Sequence, residues 1–527
     1  MLHDAQVDGA GRRAPRSALS PQSPTTETPQ MNPRFRPVLK TLPLLAAVAL
    51  SACSLTPTYQ RPEAAVPAQL PAAPGAAAAS ASAPADAVAT PAWSSYFPDA
   101  RLQGLIQRAL DSNRDLRVAL RNVDQLRAAY QVTDADRFPT LNGTLTGSRG
   151  PSTFAPYKLT TIVQGGVTLA SYELDLFGRV RAASEAAAAQ LLASESNRQA
   201  AQVALVAQVA NAYYGLWADR WQLALSAETL RTRQESLRLL QLKFDSGVLN
   251  ELDLRTGQSL VEAAKVTQAQ AQRQWAQDLN ALQLLLGQPV PADQLPPEVD
   301  AKVLLPANAN GNAKGQAEGK APLTAVELWP ALPDLPVGLS SDVLLQRPDI
   351  VQAEQALIAA NANVGVARAS RFPRIALTAS AGVISDSLDG LFNDNRRAWS
   401  LAPSVTVPLL DWGRTSANVD AAIARKDAAV ASYDKAVQTA FREAADALVA
   451  RSTWVAQSRA QAAQAEAESQ RLRLSTLRYD TGVASQLDLL DAQRSWFSAQ
   501  QALIAAQLSR QQAQIGLYKA LGGGLLN

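Results

Sequence analysis

Residues 243–254 read KFDSGVLNELDL, and residues 478–489 read RYDTGVASQLDL. One local pattern is written twice, 235 positions apart. In each copy a glycine, Gly247 or Gly482, follows a helix-forming run. It suits the left-handed residue that ends a helix, because glycine has no Cβ to clash there. Three residues on stands a good N-cap, Asn250 or Ser485, and three beyond that an aspartate, Asp253 or Asp488, in position for a capping box. Both stretches therefore predict a tight turn between two antiparallel helices. Val248 and Val483 fall at the apex, and Phe244, Tyr479, Asp245 and Asp480 read as turn builders.

The duplication extends outward from these turns. Arg137-Phe138-Pro139 recurs as Arg371-Phe372-Pro373, 234 residues later. FGR (177–179) recurs as WGR (412–414), and Gly287 as Gly522, both at 235. Matches at one offset mark a tandem repeat of a single structural unit. A helical segment (Ala100 to Asp136; Asp349 to Ser370) precedes one with β character (Thr140 to Leu176; Ile375 to Leu410). A long helix follows (Gly178 to Gly247; Gly413 to Gly482), then a shorter helix back (Asn250 to Gly287; Ser485 to Gly522).

Helix length then constrains the fold. A helix of ~67 residues is ~100 Å long, and two segments of ~36 residues stacked end to end would match it. No globular core buries such an element, since typical helices have ~11 residues. Its faces, AASEAAAAQLLAS (182–194) and AAQVALVAQVANAYY (200–214), are small and apolar and suit close lateral packing. A free coiled coil is the plainer alternative, but sustained leucine heptads are absent and the β segments stay unexplained. Those segments (LNGTLTG, 141–147; SVTVPLL, 404–410) predict four strands per chain. Each is near the ~9–11 residues that cross a bilayer. An open sheet cannot face lipid, so membrane strands would close with eight from two chains or twelve from three. Two soluble hairpins packed on helices is the other reading.

The N-terminus bears on location. From Met31 the chain reads MNPRFRPVLKTLPLLAAVALSAC, a basic, then apolar, then small-residue order. The apolar run is ~10 residues, too short to span a bilayer, so 31–52 reads as a signal peptide and 1–30 as a misassigned or disordered leader. Leu50-Ser51-Ala52-Cys53 resembles a bacterial lipobox, which makes Cys53 the expected lipidation site, with a covalent N-acyl diacylglycerol. The plainer reading is a secreted protein with a chance cysteine. Residues 53–92 form an Ala/Pro-rich tether, 93–287 and 337–522 the two repeats, 288–336 a connector and 523–527 a tail. No other apolar run approaches membrane-helix length, so a second anchor would have to be β.

Composition excludes several classes. One cysteine forms no intrachain disulfide, and one histidine, His3, builds neither a histidine metal site nor a triad. Beyond residue 52 the chain carries 43 basic and 43 acidic residues, so its basic pI does not point to nucleic acid. No cofactor other than the lipid, no metal and no enzymatic activity are expected.

FGR/WGR, RPDI (347–350), ARASRFPRI (367–375) and RYDTGVASQLDLLDAQRSWFSAQQ (478–501) together resemble the TolC-type outer-membrane efflux proteins. The lipobox and VGLSSDVLLQRPDI (337–350) point to the lipoprotein, OprM/NodT-like branch. The resemblance implies a mainly α homotrimer, with twelve strands in one outer-membrane β-barrel and an α-barrel projecting into the periplasm. It also implies a periplasmic adaptor and an RND-type inner-membrane transporter as partners, and passive exit of drugs or other small molecules. Carried over by position, Leu487 is a gate plug, Asp491 a charged ring and Arg494 its tether. Gly247, Val248, Asn250, Asp253, Gly482, Val483, Ser485 and Asp488 form the tips that would dock the adaptor. Thr256 and Ser259 replace Asp491 and Arg494 in the first repeat. Without the resemblance, Asp491/Arg494 reads as a surface i,i+3 ion pair, worth a few tenths of a kcal/mol. The same fold serving type I secretion or heavy-metal export, a structural coiled-coil lipoprotein, and a lipoprotein enzyme or solute-binding protein remain the rivals.

Overall fold

A computed structural model of the chain describes residues 54–63, 66–71, 91–151, 157–299, 329–335, 341–392 and 396–524. The leader, the signal peptide, Cys53, most of the tether and connector, and residues 525–527 lie outside them.

The first repeat comprises α1 (Trp93–Tyr96), α2 (Ala100–Ser112), α3 (Arg114–Ala135), β1 (Leu141–Pro151), β2 (Leu159–Glu173), α4 (Arg179–Asp245) and α5 (Glu251–Leu286). The second comprises α6 (Pro348–Ala369), β3 (Arg374–Ser385), β4 (Arg397–Thr406), α7 (Arg414–Asp480) and α8 (Gln486–Ala520). Both long helices, α4 and α7, have 67 residues, or ~100 Å. Each starts after a left-handed glycine, Gly178 or Gly413. An aspartate there satisfies backbone donors that have no intrahelical partner. Asp175 accepts from the amides of Val180 and Arg181, and Asp411 from those of Gly413 and Thr415.

The stacking of the shorter helices differs from the expected pair of ~36-residue segments. α5 has 36 residues but α3 only 22, and α8 has 35 against 22 in α6. The cause is Asn113, which ends the first helical segment and caps the next. Its side chain accepts from the Leu116 amide (2.8 Å) and donates to the Leu285 carbonyl (2.9 Å), joining α3 to the end of α5. The chain before it, α2, turns away to pack on α4 and α5. In the second repeat Arg347 holds the matching position. It donates Nη1 to the Ala520 carbonyl (2.8 Å) and pairs with Asp349 (2.7 Å) and Glu443 (2.8 Å). Two chemically different side chains thus make the same end-to-end joint.

The strands form one antiparallel sheet ordered β1-β2-β3-β4, so β2 and β3 join the repeats and β1 and β4 are its edges. Register resolves the alternation that glycine and serine dilute in the sequence. Leu141 lies opposite Leu169 and Leu145 opposite Gly165, while Ala379 pairs with Leu401 and Ala381 with Trp399. Because strand side chains alternate faces, these apolar residues share one side. Leu141, Leu145, Val167, Trp399, Leu401 and Val405 are exposed there. Asn142, Thr144, Thr168, Ser380, Ser400 and Ser404 occupy the other. A sheet with an outward apolar face and a polar reverse suits a barrel wall in lipid rather than a hairpin laid on helices. Among the described residues no helix is long and apolar enough to cross a membrane.

Side by side, α3, α4, α6 and α7 form one helical layer, and α5 and α8 complete the hairpins with α4 and α7. Halfway along, an aromatic core locks the elements. Tyr96 stacks on Tyr518 (4.4 Å), and Trp329 packs against Tyr214 and Trp217. Residues 54–63 lie along α6. Arg61 grips both oxygens of Glu354 (2.7 and 2.6 Å), and Asn361 donates to the Pro57 carbonyl (2.7 Å).

Candidate functional site

The two turns are built alike from their backbone. In the first, Gly247 N–H bonds the Phe244 carbonyl and Val248 N–H the Lys243 carbonyl, both at 2.9 Å. In the second, Gly482 bonds Tyr479 (3.0 Å) and Val483 bonds Arg478 (2.9 Å). This is the Schellman pattern, and it requires the left-handed glycines at φ 77° and 76°. The capping differs. Ser485 and Asp488 bond each other's amides, completing a capping box, whereas Asn250 accepts from the Asp253 amide (2.9 Å) with no return bond. The expectation of two boxes therefore holds for one turn only. Asn is a strong acceptor cap by itself, and there the aspartate stays free.

Apolar side chains cluster at these ends. Val248, Val483 and Leu487 are exposed, and so is Leu252, the first-repeat counterpart of Leu487. One turn behind Leu487, Asp491 accepts from Arg494 (2.8 Å) and from Arg471 of the facing helix α7. Arg471 also binds Glu468 (3.2 Å). The bond from Arg471 holds the Asp491 carboxyl below its usual range, with Arg494 adding to it. Ser236 and Thr256 stand at the matching positions of the first hairpin, so only the second carries the clamp. Tyr479 does more than build its turn: Lys243 donates to its hydroxyl (3.1 Å) and ties the two tips together. Farther back, buried Arg233 of α4 donates to Gln493 of α8 (2.6 Å).

A groove of about 1020 Å³ runs along the four-helix layer. Asn122, Gln125, Gln190, Asn197, Gln352 and Asn363 line it with amides, alanines fill the gaps, and Arg425 is its one charged lining residue. On α6 the groove residues Gln352, Ala356, Asn363 and Val366 sit opposite Glu354 and Asn361, which hold residues 54–63. The layer thus has one amide-rich face and an opposite face that carries residues 54–63.

A buried carboxyl lies midway along the first hairpin. Asp219 of α4 is 7% exposed, and its Oδ2 has no hydrogen-bond partner. It faces Asp278 of α5, which accepts from Gln274 (3.1 Å). Burial, helped by the Asp278 charge, pushes the Asp219 carboxyl up to about 7. The second repeat has Trp454 and Ala513 at these positions.

The duplicated layout matches a known family twice over. The family model described as outer membrane efflux protein matches residues 105–288 and again 339–523, one match per repeat. The chain belongs to the outer membrane efflux protein family. It is 43% identical over 491 residues to the solvent efflux pump outer membrane protein SrpC of Pseudomonas putida, covering 92% of this chain and 98% of that one. Outer membrane protein OprJ of Pseudomonas aeruginosa is 40% identical over 494 residues, covering 93% and 96%. The open state of the MtrE outer membrane channel of Neisseria gonorrhoeae superposes with a TM-score of 0.77 at 38% identity, over 90% of this chain and 99% of that one. The chain is thus an outer-membrane efflux channel, and the expected TolC-like fold of long helical hairpins plus four strands is the one observed. The relatives and the structural neighbour named here are efflux-pump outer membrane proteins and a channel, which favours the channel reading over a structural coiled-coil lipoprotein.

Proposed function

We propose that three copies of the chain form the exit duct of a tripartite efflux pump. Twelve strands would close the sheet in the outer membrane, and the helical layers would surround a periplasmic tunnel lined by the amide-rich groove. An RND-type inner-membrane transporter would supply energy, since the sequence has no phosphate-binding loop, and an adaptor would dock on Gly247, Val248, Asn250, Asp253, Gly482, Val483, Ser485 and Asp488. The observation that carries this reading is the end of the second hairpin: exposed Leu487 beside an Asp491 held by Arg471 and Arg494. Three leucines meeting on the axis would plug the tunnel. Three carboxylates behind them would repel and spread unless the arginines neutralise them.

The groove, with Arg425 as its one charged lining residue, favours cargo that is small and weakly polar. SrpC carries solvent efflux in its name, and solvents or apolar antibiotics are the proposed class here. Deleting the gene should sensitise the host to such compounds and not to heavy-metal salts. Sensitivity to metals alone would favour the metal-export reading instead.

Cys53 lies outside the described residues, and its lipid remains a proposal that rests on the LSAC motif. Residues 54–63, bonded along α6, would lead from that anchor down the outer face. Metabolic labelling with a radiolabelled fatty acid should mark the wild type and not Cys53→Ala. Equal label in both refutes the assignment.

A further inference from the structure

The strands hold four charged residues, Arg149, Glu173, Arg374 and Arg397, and the register sorts them by face. Glu173 and Arg374 stand on the polar face at the end nearest the helices and pair with each other at 2.6 Å. Arg149 follows Leu141 and Leu145 at a spacing of four, and Arg397 precedes Trp399 and Leu401 at a spacing of two. Both arginines therefore share the outward apolar face. Both are exposed, and neither has an ion pair or hydrogen bond among the described residues.

Their depth is what makes this tolerable. An unpaired arginine in the middle of a lipid-facing wall is costly, and the cost fades only toward the interface. The helices join the sheet at one end, and both arginines lie at the other: Arg397 opens β4, and Arg149 stands two residues before the end of β1. Arg397 shares a row with Val383, Gly165 and Leu145. Next to it on β4 come Trp399, Leu401 and Val405, an apolar run with its tryptophan at the border, as in an aromatic girdle. Arg149 lies four residues beyond Leu145, ~13 Å along the strand. With strands tilted by ~40°, that is ~10 Å higher. A headgroup layer is ~5–8 Å deep, so the two cations bracket it.

Nothing nearby neutralises them. Of the carboxylates described in the β3–β4 turn, Asp386 pairs with Arg396 (3.7 Å) and Asp389 is held by Ser387 and by amides of its own turn. No strand carries an outward carboxylate, so the strands of a neighbouring copy supply none. The turn itself folds back onto the wall, with Leu391 buried against Gly165. We infer that Arg149 and Arg397 bind the phosphate groups of an outer-leaflet lipid whose acyl chains lie along the Trp399–Val405 run. A guanidinium suits this task because its fork matches phosphate oxygens two at a time. The inference rests on reading the sheet as a barrel wall in lipid and names the lipid that the wall selects.

The test titrates the full-length protein, in uncharged detergent, with diphosphorylated lipid A and counts bound adducts by native mass spectrometry. An arginine beside an anionic surface contributes about fivefold, so Arg149→Gln and Arg397→Gln should each weaken binding about fivefold and the pair about 25-fold. Lipid A stripped of its phosphates should bind wild type and double variant alike. Excess inorganic phosphate should leave the lipid bound; displacement would mean a site for the free anion and overturn the lipid assignment. Arg425→Gln, which removes an exposed arginine from the groove, should change nothing. A loss there equal to that of Arg149→Gln would show attraction to overall charge and overturn the inference. Undiminished binding by the double variant, in protein that still inserts into phosphatidylcholine vesicles, would overturn the site and leave the barrel standing. Wild type that fails to insert would overturn both.

Discussion

The Asp219 carboxyl gives the strongest pH dependence that the helical hairpins hold. Its charged form has lost water without gaining a hydrogen-bond donor at Oδ2, and it faces a second carboxyl, so its proton is retained up to about 7. In the unfolded chain an aspartate releases its proton near ~3.9. A folded-state value above the unfolded one stabilises the protein fully below about pH 4 and loses that contribution as pH rises to about 7. About three units correspond to up to about 4 kcal/mol. Asp219→Asn keeps the shape and removes the titration. Denaturant midpoints followed by helical circular dichroism should coincide for the two proteins near about pH 4, and the variant should be the more stable near about pH 8, by up to about 4 kcal/mol. Parallel pH profiles for wild type and variant would refute the reasoning, because they would mean that Asp219 is hydrated or paired.

Two further predictions concern the joints and the tips. Asn113→Ala removes both the α3 cap and the bond to Leu285, and should destabilise by about 1–2 kcal/mol. Arg347→Ala should cost more, about 3–5 kcal/mol, since that arginine is buried and the Ala520 carbonyl and two carboxylates lose their partner; equal losses in a denaturation series would show that the ion pairs of Arg347 add nothing to its joint. Gly482→Ala forces a Cβ into the left-handed region and should cost about 1–2 kcal/mol, seen as faster amide exchange confined to residues around 478–486. Unchanged exchange there would mean that the turn is not held as described.

How much of this was legible depends on whether neighbours in space were neighbours in sequence. The turns were legible because glycine, cap and aspartate stand within seven residues of one another. The repeat was legible because two copies of one chain supply their own comparison. The sheet's faces were not, since Gly143, Gly147 and Gly165 interrupt the alternation and only the pairing of Leu145 with Gly165 restores it. Asn113 escaped notice because no glycine or proline announces the break; the only signal was an N-cap residue followed by Asp115 in the first turn. Asp219 with Asp278 and Arg471 with Asp491 needed the hairpins to be folded back on themselves. Reflecting α4 about its turn places Asp219 opposite Asp278, as it does Leu240 and Gly257, while Arg471 and Asp491 lie five positions out of that register and meet through the length of the arginine, so the signal was present but only through the fold.

Whether the helical hairpins enclose a gated tunnel is read from conductance in planar lipid bilayers. Wild-type protein should insert as a low-conductance channel, and Asp491→Ala combined with Arg494→Ala should raise the single-channel conductance by loosening the second hairpin. Channels whose conductance is unchanged by both substitutions would contradict the gate, and protein that inserts without conducting at all would contradict the duct.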